Sequence, residues 1–156
     1  MERSASAAQA PGLPALGAGS LLHKVAREFT TMLDRDLARH DLTSQQAALL
    51  LHAAGEPATP SSLKAALGTD TAGMTRLLDR LEGKGLVRRA RHPQDRRAVV
   101  IELTAQGQAV VPHLQPAFGH AVGRLLAGFD DTQVAQLRGM LDRMLANLAA
   151  DGDPAA

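Results

Sequence analysis

The chain has 156 residues, 45% apolar and 21% charged, with a formal net charge of +1, the make-up of one compact globular domain or two small intertwined lobes. It has no cysteine, which excludes disulfides, thiolate metal sites, cysteine nucleophiles and thiol-based redox sensing. Tryptophan and tyrosine are absent and Phe29, Phe118 and Phe129 are the only aromatic residues, so the core must be Leu, Val, Ala and Met, and stacking of single-stranded bases is not expected.

Residues 1–19, MERSASAAQAPGLPALGAG, lack the continuous apolar run of a signal peptide and read as a flexible tail. No stretch approaches the roughly twenty apolar residues of a membrane span, so a cytoplasmic protein with no membrane partner is expected. Ser20 is placed to cap a first helix running to about Arg39, with Leu21, Val25, Phe29, Met32, Leu33 and Leu37 forming one stripe. Thr43 and Gln46 have the spacing of a capping box and open a second helix that stops near Gly55-Glu56-Pro57. Thr59 caps a short third helix, Pro60 occupies its first turn, and Gly68 ends it.

A fourth helix begins between Thr69 and Thr71 and ends near Lys84-Gly85. Met74, Leu77, Leu78 and Leu81 recur at helical spacing and face inward, leaving Thr71, Ala72, Thr75, Arg76 and Asp79 outside. Leu86 to Ala90 and Ala98 to Leu103, β-branched at Val99, Val100 and Ile101, read as strands joined by the hairpin loop RHPQDRR. Thr104 caps a long helix, which Pro112 and Pro116 are expected to bend or break. Asp130 or Asp131 starts the last helix at the positive end of its dipole, and Val134, Leu137, Leu141, Met144, Leu145 and Leu148 form a seam near heptad spacing. Residues 151–156, DGDPAA, are a second tail.

Charge is concentrated in the middle of this order. Ser61 to Val100 carries nine Lys/Arg against four acids, a net +5 in a chain of net +1, and a local basic face is what a phosphate backbone selects. Helix, turn, helix and two strands around a basic loop make a winged helix-turn-helix, a shape that sets one helix in the DNA major groove. The expected fold is mainly α with a small two- to three-stranded β wing. Residues 41–103 form the lobe, and residues 20–40 and 104–150 form a terminal-helix dimerisation platform. The platform follows from three apolar stripes that one small module cannot cover, so that helices of two chains interlock. The bland alternative is that these helices cover only each other.

Three segments, LTSQQAALL, TAGMTRLLDRLEGKGLVRR and PQDRRAVVIELTAQG, resemble the MarR family of bacterial transcriptional regulators. The resemblance covers about Leu21 to Leu148. Its specific part combines the T-R-L-x-D-R-L-E-x-K-G-L-V run, the D-x-R of Asp95 and Arg97, and the L-T-x-x-G of Leu103, Thr104 and Gly107. It implies a homodimer on near-palindromic double-stranded DNA, repressing transcription and released by a small ligand. Two positions depart from the family pattern: Ala47 stands where many members have an aromatic residue, which reshapes a ligand cavity, and Gly73 stands where relatives often have Ser or Thr, which removes one base contact.

The DNA-facing candidates follow from chemistry. Ser61, Ser62 and Lys64 begin the helix expected over backbone phosphates. Thr71, Ala72, Thr75 and Arg76 open the recognition helix, where free N–H groups and short side chains permit close approach and Arg76 can pair with guanine. In the wing, Arg97 and Arg96 are minor-groove probes, and Arg88, Arg89 and Arg91 are phosphate contacts. Asp95 would be repelled by phosphate and is expected to hold a neighbouring arginine. The bland alternatives are a solvated helix face with Arg76 bridging Asp79, and a hairpin held by its own Asp–Arg pair. The second does not account for five arginines against one acid between Arg88 and Arg97.

His23, Arg27, His40 and His113 are candidate partners for an effector carboxylate, small aromatic acids being the class the resemblance implies, in the cleft near the first, second and fifth helices. His113 and His120 lie seven residues, or two turns, apart on one helix, too far to chelate together, and with no HxxxH no metal ligand and no cofactor is assigned. No G-x-S-x-G, phosphate-binding glycine loop, HExxH or dinucleotide fingerprint is present, so an enzyme is not expected. The alternatives are a zinc-responsive regulator of the same fold and a winged-helix protein-interaction module.

Overall fold

The computed structural model describes residues 13–55, 58–92, 95 and 97–150, with the side chains of 13–15 and 150 not described. Its elements run α1 (Leu13–Leu37), a 3-10 turn (Ala38–His40), α2 (Ser44–Gly55), α3 (Pro60–Leu67), α4 (Thr71–Gly83), β1 (Val87–Arg91), β2 (Val99–Leu103), α5 (Ala105–Leu125) and α6 (Asp131–Ala150). The chain divides into two compact units, the first ending at Ala121 and the second beginning at Val122.

In the first unit α2 is central, touching α1, α3, α4 and β2. Its start is built as the spacing predicts: Thr43 N–H donates to Gln46 Oε1 (3.2 Å) and Gln46 N–H to Thr43 Oγ1 (3.3 Å). Asp34 of α1 adds an acceptor for Ser44 N–H at 2.6 Å. Around α2 lie the fully buried Leu37, Leu49, Leu50, Leu63, Leu78, Leu81, Ile101 and Leu114. Burying each such side chain is worth about 1.5–3 kcal/mol, and this aliphatic set is the core that the missing aromatics required. Ala47 is wholly inside it.

β1 and β2 pair antiparallel, from Val87 opposite Leu103 to Arg91 opposite Val99. A third strand is reduced to one bridge, in which Ile101 N–H donates to Ala58 O at 2.8 Å. The sheet of the wing is therefore two-stranded.

Three expectations are corrected. α1 starts at Leu13, not after Ser20, so residues 13–19 are helical rather than tail. Pro14 fits the first turn, where a missing N–H costs nothing, and the helix runs on through Gly17, Gly19 and Ser20. α5 runs through Pro112 and Pro116 as one helix, so neither proline breaks it. Finally, α1 ends at Leu37 and tightens into the 3-10 turn before Asp41, which takes a left-handed φ of 54°. The tails at 1–12 and 151–156 lie outside the described residues.

The stripe on α1 is only half satisfied. Leu33 and Leu37 are buried and Phe29 and Met32 half-buried, but Leu21, Leu22 and Val25 are exposed. In the second unit α6 starts as expected, with Asp130 and Gln133 forming a reciprocal cap (Asp130 N–H to Gln133 Oε1 3.0 Å, Gln133 N–H to Asp130 Oδ1 2.9 Å). Its seam is half-buried at Val134, Leu137 and Leu141 and open at Met144, Leu145 and Leu148, the last two 65% and 71% exposed. Among the described residues no helix is long and apolar enough to cross a membrane.

Candidate nucleic-acid interface

The helix-turn-helix is set by its caps. Thr59 Oγ1 accepts from Ser62 N–H (3.1 Å), and Ser62 Oγ accepts from Thr59 N–H (3.0 Å) while donating to Thr59 O (2.9 Å). The Ser62 hydroxyl is thereby engaged within its own cap, and Ser61 and Ser62 are both exposed. Gly68 ends α3 at φ 60°, a conformation that favours glycine. Asp70 then caps α4, its Oδ1 accepting from Gly73 N–H at 2.5 Å. That carboxylate leans over Gly73: a Cβ there would lie 2.9 Å from Asp70 Oδ1 and 2.5 Å from Thr69 Oγ1. A side chain at this departure from the family pattern would displace the ends of these two side chains.

Met74, Leu77, Leu78 and Leu81 are buried, which turns Thr71, Ala72, Thr75, Arg76 and Asp79 outward as the spacing predicts. Lys64 Nζ reaches Thr71 Oγ1 at 3.3 Å and joins the two helices at this surface. A groove of about 590 Å³ lies between α3, α4 and the wing, lined by Ser61, Lys64, Thr71, Thr75, Arg89 and Val99 among others.

Neighbouring arginines on β1 have opposite fates because successive side chains point to opposite faces. Arg88 pairs with Glu102, its register partner, through Nε (2.9 Å) and Nη2 (2.7 Å). Arg89 turns to α4: Nη2 donates to Asp79 Oδ1 (2.7 Å), Nη1 to Glu82 Oε2, and its backbone N–H to Glu82 Oε1 (3.0 Å). Asp79 is thus taken by Arg89, not by Arg76. Among the described residues no carboxylate pairs with Arg76, Arg80, Arg91 or Arg97.

In the wing loop Asp95 Oδ1 accepts the backbone N–H of Arg97 (3.0 Å) and Asp95 O accepts from Ala98 N–H (3.0 Å). Asp95 holds the backbone of its neighbouring arginine, so the D-x-R motif is a turn with a cation at its end. Asp95 and Arg97 are both exposed. Arg96 lies outside the described residues.

The wing base is clasped to α5 by the L-T-x-x-G motif. Thr104 N–H donates to Leu86 O (3.1 Å), Thr104 Oγ1 to Gly85 O (2.6 Å), and Gly107 N–H to Thr104 Oγ1 (3.0 Å). Any Cβ on Gly107 would collide with the Leu86 carbonyl. At the far end of α4, Lys84 pairs with the Asp41 carboxylate at 2.9 Å and also meets its carbonyl. Asp70, Glu82, Lys84 and Asp41 were not singled out for these roles by sequence. Only Asp70 left a local signal, an Asp three residues before Gly73 at a helix start.

The effector candidates separate into two groups. His23 and Arg27 are exposed on α1, with Arg27 beside Glu28 at 3.3 Å. His40 and His113 are brought together, their rings stacked at 5.9 Å. His120 Nδ1 lies 3.1 Å from Asp36 Oδ2. Among the described residues no group of three or more His, Asp or Glu is placed to hold a metal ion.

A sequence profile of the MarR family matches residues 40–98. The multiple antibiotic resistance protein MarR of Escherichia coli K12 is 32% identical over 129 residues, spanning 81% of this chain and 90% of that protein. This chain belongs to the MarR family. MarR-family members among the solved structures are transcriptional regulators, not enzymes. A mutant E. coli MarR complexed with operator DNA is similar to the chain with a TM-score of 0.72 and 31% identity, over 86% of this chain and 99% of that one. CouR from Rhodococcus jostii RHA1, bound to p-coumaroyl-CoA, gives 0.76 and 29% over 81% and 90%. The mainly helical fold with a two-stranded wing is the fold of these regulators.

Proposed function

We propose that this MarR-family protein is a cytoplasmic, dimeric repressor that sets two winged helix-turn-helix lobes on a near-palindromic operator and leaves it on binding a small ligand. The observation that carries this reading is the surface shared by α3, α4 and the wing. Ser61, Lys64, Thr71 and Thr75 line one groove there, with Arg76, Arg91 and Arg97 exposed, and the similar E. coli MarR is solved with operator DNA. In this reading Thr71, Ala72, Thr75 and Arg76 face the major groove. Ser61, Lys64 and Arg91 meet phosphates, and Arg97 with Arg96 probes the minor groove. Ser62 is committed to the α3 cap, the Arg88 guanidinium to the Glu102 carboxylate and the Asp95 carboxylate to the wing turn, and in this reading they shape the surface.

The dimer rests on apolar surface. Leu21, Leu22 and Val25 on α1 and Met144, Leu145 and Leu148 on α6 are exposed in the single chain, and residues 20–40 and 104–150 supply the platform. That a small ligand acts is supported by CouR, solved with the aromatic acyl thioester p-coumaroyl-CoA; an aromatic acid as the ligand class is carried over from the family resemblance. His40 and His113 are the better-placed partners, being adjacent.

The test is fluorescence anisotropy with a duplex selected by the wild-type protein from a random DNA pool. Two half-sites about one helical turn apart should emerge, and an aromatic carboxylate that raises the melting temperature of the protein should also release the duplex. Selection that enriches no common sequence would contradict the operator reading.

A further inference from the structure

We infer that Arg89 is a positioning residue for DNA recognition: it braces the wing against the recognition helix and touches no phosphate. The inference deepens the DNA-binding reading above and rests on it. Asp79 and Glu82 lie one turn apart on α4, so both face one side of the helix. The Arg89 guanidinium spans them, one nitrogen to each carboxylate, and Glu82 also accepts the Arg89 backbone N–H. Three hydrogen bonds thus join the middle of β1 to the face of α4 bordering the groove that Lys64, Thr71 and Thr75 line.

The consequence is geometric. Arg76 sits on α4 and Arg97 on the wing, and a specific complex needs both in their grooves at once. The angle between helix and wing sets whether they reach together. Hydrogen bonds from Thr104 to Gly85 and Leu86, and from Gly107 N–H to Thr104 Oγ1, fix the base of the wing to the start of α5, and the Arg89 brace fixes its pitch against α4. Electrostatics point the same way: two carboxylates already face the guanidinium, so Arg89 offers no uncompensated cation to a phosphate. Only a planar fork spans two acids in this way. A lysine keeps the charge but holds a single point contact.

That difference supplies the test. Arg89→Lys and Arg89→Met are titrated with the selected duplex and with a duplex of unrelated sequence, at several salt concentrations, after each variant is shown to melt cooperatively. The brace predicts that Arg89→Lys lowers affinity for the selected duplex about tenfold, leaves affinity for the unrelated duplex within about twofold, and keeps the wild-type salt slope. Arg89→Met should show the same loss of discrimination. The inference is overturned if Arg89→Lys binds as wild type while Arg89→Met lowers the slope by about 0.9, the signature of one lost phosphate contact. It is equally overturned if both variants discriminate as wild type. Wild-type protein that fails to bind either duplex would instead strike down the DNA-binding reading itself.

Discussion

Gly107 has no room for a side chain, because a Cβ would meet the carbonyl oxygen of Leu86. The same carbonyl accepts from Thr104 N–H, so it cannot turn aside without losing that bond. Gly107→Ala should therefore cost about 1–3 kcal/mol, the usual range for overpacking, and appear as a lower melting temperature by circular dichroism. A melting curve like that of wild type would show that the clasp between wing and α5 yields easily. Arg97 is the contrasting residue: it is exposed on the wing turn, and its backbone, not its side chain, is held by Asp95. Arg97→Ala should leave the melting temperature unchanged and weaken binding to the selected duplex by about 1–3 kcal/mol. Unchanged affinity in an anisotropy titration would remove the wing from recognition.

At the scale of elements, what sequence revealed was local. The capping pair Thr43–Gln46, the Thr59 cap and the inward face of α4 lie within one or two turns, and spacing alone exposes them, whereas the return bond from Ser62 to Thr59 is not among the expectations. Charge counting assigns Arg88 and Arg89 to phosphate because it sees a surplus of cations, not which cation meets which acid. Their partners lie on another strand and another helix. Ser20 misled for a different reason: the helix continues on its amino-terminal side through Gly17 and Gly19, which propensity disfavours, so no local signal marked its true start. The terminal stripes were legible, but their occupants were not, since periodicity gives a face and not what covers it. Leu145 and Leu148 are 65% and 71% exposed, so replacing both with Asp removes little from the interior of a single chain. Leu145→Asp with Leu148→Asp should give a folded protein that sediments as a monomer, because an interface burying two unpaired carboxylates is costly. A stable dimer in that variant would place the interface elsewhere.

At the scale of the whole molecule, a net charge of +1 conceals a segment of +5 between Ser61 and Val100. The structure sorts those cations. Arg88, Arg89 and Lys84 are tied to acids of the same chain, while Lys64, Arg76, Arg80, Arg91 and Arg97 meet no carboxylate among the described residues. In the proposed reading the second set is the one that meets DNA, presented twice by the proposed dimer. Affinity built on it must fall with salt, because each phosphate neutralised releases condensed counterion with a slope near −0.9. Two lobes with roughly three to five phosphate contacts each give a log–log slope on the order of −5 to −9. The measurement that tests this most directly is the salt dependence of binding to the selected duplex. A steep slope in that range, reduced by Lys64→Ala with little change in sequence preference, is the result expected. A flat profile would contradict the DNA-binding account, and the arginines of the wing would then need another anionic partner.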